Sequence, residues 1–156
     1  MYNLFIGRNS VKGVYMLIIE VIKPITLMIN RRKYLLDKTH LIYVGSACGP
    51  GGLSARISRH LRKDKKIHWH IDQITSLDHA RIKAICLLPL APSIYESIIS
   101  GFLADVLDYV PRFGSTDKPR DKSHLFICGT MGECIEVIKT IQNRTNYPVI
   151  TIIIDQ

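Results

Sequence analysis

Between His40 and Asp72 the chain reads HLIYVGSACGPGGLSARISRHLRKDKKIHWHID, a density of groups suited to phosphate chemistry. A strand-like run, Leu41 to Val44, ends at Gly45, and a loop with Gly49, Pro50, Gly51 and Gly52 follows. A basic helix is predicted from Leu53 to Arg62, and His68, Trp69, His70 and Asp72 come after it. Arginine can form paired hydrogen bonds to phosphate oxygens and stabilise charge that grows in a transition state. Tyrosine can take a proton from water if a nearby cation lowers its pKa. The glycine loop is expected to place backbone N–H groups at a helix start, where the dipole favours anions. It is not a P-loop, because Gly-Lys-Ser/Thr is missing.

The elements that would hold these groups follow from hydropathy. Gly13 to Val21 is a buried strand by its aliphatic run. Ile25 to Ile29 is expected to return beside it as a hairpin, with Asn30 to Lys33 as a polar tip, either a solvated loop or a phosphate contact. Leu41 to Val44 would complete a small antiparallel sheet. Leu53, Ile57 and Leu61 recur every four residues as the helix's buried stripe, with Arg56, Arg59 and Lys63 on a neighbouring face and His60 between the two. Arg81 to Leu88 is a further strand, and Ile94 to about Leu107 a helix whose apolar side carries Ile94, Ile98, Ile99, Phe102, Leu103 and Val106. Ser93 and Glu96 have the spacing of a capping box at its start. Residues 111 to 122 are a loop, His124 to Cys128 a strand, Met131 to Gln142 a helix and Tyr147 to Ile154 a last strand. No internal repeat or low-complexity tract is present.

At 156 residues, 47% apolar and 22% charged, the sequence fits one folded domain spanning the whole chain. A net charge of +8 favours an anionic partner. The longest apolar stretch, Val14 to Ile29, is broken by Glu20, Lys23 and Pro24 and does not suit a bilayer. Cys48, Cys86, Cys128 and Cys134 lack any C-x-x-C pair, which argues against a zinc knuckle. They are expected to be reduced thiols in the core of a cytoplasmic protein. His68, His70 and Asp72 have i, i+2, i+4 spacing that would suit metal ligands on a strand, but no cysteine supports that reading.

Gly13-Val14-Tyr15 on the first strand, Tyr43-Val44-Gly45 on the third, and Arg56 and His60 in A-R-I-S-R-H-L together resemble the GIY-YIG nuclease superfamily. YVGSACGPGGLSARISRHL, the following HWHID and the late FGSTD…SHLF resemble more closely a branch, common in archaea, catalogued mainly as a domain of unknown function. The resemblance covers roughly residues 11 to 128, leaving 129 to 156 as a C-terminal extension. In that branch cysteines often follow FGSTD; here Lys118, Pro119 and Arg120 stand there.

The resemblance implies an α/β (α+β) fold, a three-stranded antiparallel sheet flanked by helices, with extra C-terminal elements. It also implies metal-dependent hydrolysis of phosphodiester bonds in DNA, in repair or on branched substrates. Tyr15, Tyr43, Arg56, His60 and His68 are then the expected catalytic residues, and Glu96 the ligand for Mg2+ or Mn2+. Gly45, Ser46, Arg59, Arg62, Lys63, Lys65, Lys66 and His70 are the expected nucleic-acid contacts. A binding module on the same fold without catalysis, and an RNA-directed protein, are the alternatives. Each residue also has a plain reading: tyrosines are common in strands, and a basic helix face is often merely solvated.

Overall fold

The computed structural model describes residues 11–155. Strand β1, Gly13–Val21, has eight of its nine residues buried. Such a continuous apolar run belongs to a central strand covered on both faces. β1 pairs antiparallel with β4 (Thr39–Ala47) on one side and with β5 (Ala80–Pro89) on the other. Three further strands extend the sheet: β6 (Asp108–Tyr109) and β7 (Leu125–Ile127) beyond β4, and β8 (Ile150–Ile153) beyond β5. The six-stranded order is β6-β7-β4-β1-β5-β8, and every pairing is antiparallel. The fold is therefore the expected mixed α and β class, with a larger sheet than the three strands predicted.

The second predicted strand does not join this sheet. β2 (Ile25–Ile29) pairs with β3 (Arg32–Leu36) in a separate two-stranded ribbon. Both edges of β1 are already taken by β4 and β5, so it has no edge left to offer. Asn30 and Arg31, with φ of 50° and 66°, reverse the chain in two residues and hand β2 its partner.

The sheet divides the interior into two layers. Tyr15, Leu17, Ile19 and Tyr43 face one side, where helix α1 (Gly52–Leu61), the short α2 (Asp72–Thr75) and the ribbon cover them. Val14, Met16, Ile18, Ile42 and Val44 face the other, under α3 (Ile94–Val106) and α4 (Met131–Thr145). Among the described residues no helix is long and apolar enough to cross a membrane.

Three local expectations change. On α1, Leu61 is 45% exposed and His60 takes its buried place beside Leu53 and Ile57. The stripe thus closes at i+3 from Ile57 rather than i+4, as helical geometry permits. On α3, Ile94, Ile98 and Val106 are exposed; the buried face is Glu96, Ile99, Ser100 and Leu103. Cys128 and Cys134 form a disulfide, with Cα atoms 5.3 Å apart, between the end of β7 and the first turn of α4. Cys86 is a buried thiol as expected, while Cys48 is half-buried.

Candidate active site

Tyr15 and Gly45 face each other across the β1–β4 pair, two residues beyond Tyr43. A Cβ on Gly45 would come within 2.4 Å of the Tyr15 hydroxyl oxygen, so the strand needs glycine where the phenol crosses it. The Tyr15 hydroxyl shares a 2.6 Å hydrogen bond with Nε2 of His60, which is buried beneath the two tyrosines. The Tyr15, Tyr43 and His60 rings lie with centroids 5.5 to 6.3 Å apart.

Arg56 and Arg59, one turn apart on α1, set their guanidinium carbons 4.2 and 4.7 Å from the Trp69 ring centre. Stacking of this kind fixes the guanidinium plane and leaves its N–H edge for an oxyanion. Trp69 itself is held by Asp72. One Asp72 oxygen accepts from the amides of His68 (2.9 Å) and Trp69 (3.0 Å) and from Arg59 (2.7 Å). Asp72 is therefore an anchor for the His68–His70 turn, and its carboxyl stays below the usual range: burial pushes it up, but these hydrogen bonds outweigh that. His70 reaches the other wall, where its Nδ1 accepts from the Gly114 amide at 2.8 Å.

Glu96 enters from α3. Ser93 makes no side-chain cap there, so the expected capping box is absent. The chain's capping box instead opens α4, between Thr130 and Glu133. Freed from capping, the Glu96 carboxylate is buried in the cleft and ion-paired with Lys118. Nδ1 of His124 stands 3.6 Å from it. Asp121 accepts from Ser97 and pairs with His124, each at 2.8 Å. Arg112 donates to the carbonyls of Ser115 (2.7 Å) and Asp121 (2.8 Å), which orders the loop that carries Lys118.

A cleft of about 410 Å³ opens among these groups, while His60, an expected catalytic residue, is buried behind Tyr15 and does not line it. Tyr15, Tyr43, Gly45, Ser46, Arg56, His68, His70 and Glu96 all line it. So do Trp69, Thr116, Asp117, Lys118 and His124, which the site prediction did not include. Thr116 and Asp117 fall in the FGSTD stretch and His124 in SHLF, while Lys118 lies between the two. Arg59 and Arg62 lie instead on an adjoining groove of about 350 Å³, past Trp69.

Other predicted contacts have internal duties. Lys63 donates to the Leu77 carbonyl at 2.6 Å. Lys65, almost fully buried, donates to the carbonyls of Arg59 and His60 and to the Thr75 hydroxyl. Lys66 is exposed. At the start of α1 the amides of Gly52 and Leu53 already donate to the Gly49 and Val11 carbonyls, so the expected anion cradle is largely satisfied from within.

Burial dominates the electrostatics. It raises both tyrosines well above their ordinary pKa; Glu96 adds to the rise, most for Tyr43, while Arg56 opposes it. Burial lowers His60 to about 3, with Lys65 and Arg56 pushing the same way, so its imidazole is neutral at physiological pH. Among the described residues no three His, Cys, Asp or Glu side chains converge to hold a metal. A hard cation that keeps most of its water does not need three. Glu96 alone, a carboxylate facing a polar cleft, fits such an ion, in exchange for Lys118.

The fold and site thus define an antiparallel α+β protein with a tyrosine–arginine–carboxylate cleft. The family described as domain of unknown function DUF123 matches residues 14–147, and the chain belongs to that family. The match runs through the whole of α4, beyond the segment on which the motif resemblance rests. No curated protein and no solved structure matches the chain.

Proposed function

We propose that the chain is a GIY-YIG-type endonuclease that hydrolyses phosphodiester bonds in DNA with Mg2+ or Mn2+. The supporting observation is the meeting of Tyr15, Tyr43, Arg56 and Glu96, from two strands and two helices, in one cleft. Arg56 presents a stacked guanidinium to the phosphate. Neutral His60 fixes the Tyr15 hydroxyl. Glu96 would hold the divalent cation, which when bound supplies Lewis-acid stabilisation of the phosphoryl oxygens.

The raised tyrosine pKa values explain why a cation belongs in this reading. At neutral pH fewer than about one in a thousand such tyrosines is ionised, and burial is the main cause. Neutralising Glu96 removes its share of the rise, so either phenol ionises more readily and more phenolate is present to accept a proton. The setting this reading expects is DNA repair in the cytoplasm, on flapped or branched strands.

The test is a panel of duplex, flapped, branched and single-stranded DNA, with an RNA duplex beside it, with and without Mg2+ or Mn2+. Glu96→Gln should fold, bind and fail to cleave. Cleavage by that variant near the wild-type level removes Glu96 from the reaction. The Lys118–Glu96 ion pair favours a second reading, a non-catalytic DNA-binding module whose carboxylate is permanently neutralised. Lys118→Met separates the two: it lowers the Mg2+ concentration needed by a nuclease, and gives no cleavage in a binding module.

A further inference from the structure

The β2–β3 ribbon stands apart from the main sheet and carries an uneven share of charge. Residues 23 to 38, KPITLMINRRKYLLDK, hold five Lys or Arg against one Asp, half of the chain's net +8. Lys23, Arg31, Arg32, Lys33 and Lys38 are all exposed. The ion pairs of the described residues all lie elsewhere. The fold needs only the ribbon's inner side, where Ile25, Leu27, Ile29 and Leu36 are buried.

The tip is costly for the residue it holds. A two-residue reversal with positive φ at both positions favours Asn-Gly. Asn30 supplies the first position, but the second is Arg31 at φ 66°, where any side chain with a Cβ is strained. A cation stands at the apex against the local preference.

The ribbon is also tied by hydrogen bonds to α2, close to one wall of the cleft. Gln73 of α2 accepts from the Met28 amide at 2.8 Å and donates to the Met28 carbonyl at 2.9 Å. Three residues before Gln73, His70 lines the cleft. The ribbon's inner residues share one core with Tyr15 and Tyr43, so ribbon and cleft lie on the same face of the sheet.

We infer that the ribbon is a second nucleic-acid-binding element, an arm that grips duplex DNA beside the cleft. A two-stranded ribbon is of a size that the major groove admits, and the cations around its tip would meet the phosphates that border the groove. Exposed Met28 and Leu35 on the outer side supply apolar contact to base edges. The inference rests on DNA being the ligand of the cleft, and it adds that the substrate includes a double-stranded portion.

The test is fluorescence anisotropy with a labelled 30-bp duplex over a series of salt concentrations. Arg31→Gly should melt no lower than wild type, since the turn prefers glycine, yet bind roughly eightfold more weakly at about 0.1 M salt, the loss of one phosphate contact. Arg31→Gly/Arg32→Ala/Lys33→Ala should flatten the log–log salt slope by about 2.7. A charge-matched control, Arg81→Gln/Lys139→Gln/Arg144→Gln, should bind as wild type. Wild-type affinity and slope in the ribbon triple variant overturn the arm while leaving the cleft reading intact. If wild type binds neither this duplex nor flapped, branched or single-stranded DNA in a salt-dependent way, DNA is not the ligand and both readings fall. If the ribbon triple variant loses affinity for vesicles of anionic phospholipid but not for duplex, the arm is a membrane contact and the inference is wrong.

Discussion

Arg56 lies on α1 and Arg62 caps the end of that helix six residues later, yet only Arg56 opens into the tyrosine cleft; Arg62 faces the outer groove. Arg56→Ala should therefore reduce cleavage by about 10²–10³, the usual loss when a transition-state donor is removed. Arg62→Ala should mainly weaken binding. Single-turnover cleavage at saturating enzyme separates the two, and equal losses of rate would remove Arg56 from its assigned role. His60 makes a different prediction. Its pKa is held near 3, so from its ordinary 6.5 down to that value the unfolded chain takes up a proton that the folded chain refuses. The stability His60 provides is whole above pH 6.5 and drains as pH falls, by at most about 1.4 kcal/mol per pH unit. Urea midpoints at several pH values check this: His60→Gln should flatten the slope between pH 6.5 and 4. The two tyrosines and Arg56 could be read together because their types and order make the motif; Glu96 belongs to no local motif and came only from the family resemblance. Lys118 and His124 were not legible, because a loop's path decides whom its side chains meet. Lys65, which resembles any surface lysine in sequence, is buried because three oxygens converge on its ammonium.

Elements were legible where burial fills a whole strand or helix face. β1 matches its predicted limits because nothing polar interrupts it until Glu20. Partners were harder to see. No residue in Ile25–Ile29 states that β1 will have both edges occupied, and the positive φ at Asn30 and Arg31 has no glycine to advertise it. The same blindness hid the Cys128–Cys134 bridge, since six residues of separation span a strand end and a helix start that must first be placed. That short loop should contribute about 2 kcal/mol. Calorimetry is the measure: Cys128→Ala/Cys134→Ala should melt a few degrees lower, and dithiothreitol should lower wild type while leaving the variant unmoved. No response of wild type to the reductant would mean that the bridge does not support the fold.

For the molecule as a whole, basic residues do not all serve a ligand. Arg59 and Lys65 tie the His68–Asp72 segment to α1, and Lys63 ties α1 to the turn before β5. Duplex binding should weaken with salt by about 0.9 log units per log unit for each phosphate met. Lys65→Met should leave that slope unchanged and lower the melting temperature. A slope made shallower by this substitution would show that Lys65 reaches the ligand after all. The same architecture has a consequence for how the cleft can vary. Its tyrosines belong to one layer, but Glu96 belongs to a helix whose Ile99 and Leu103 are packed in the other. The distance between phenol and carboxylate is thus a vernier that reads how the layers are aligned. A methyl group gained or lost at Leu103 or Ile138 is expected to shift α3 against the sheet and so change the spacing of Glu96 from the tyrosines, with every cleft residue unchanged.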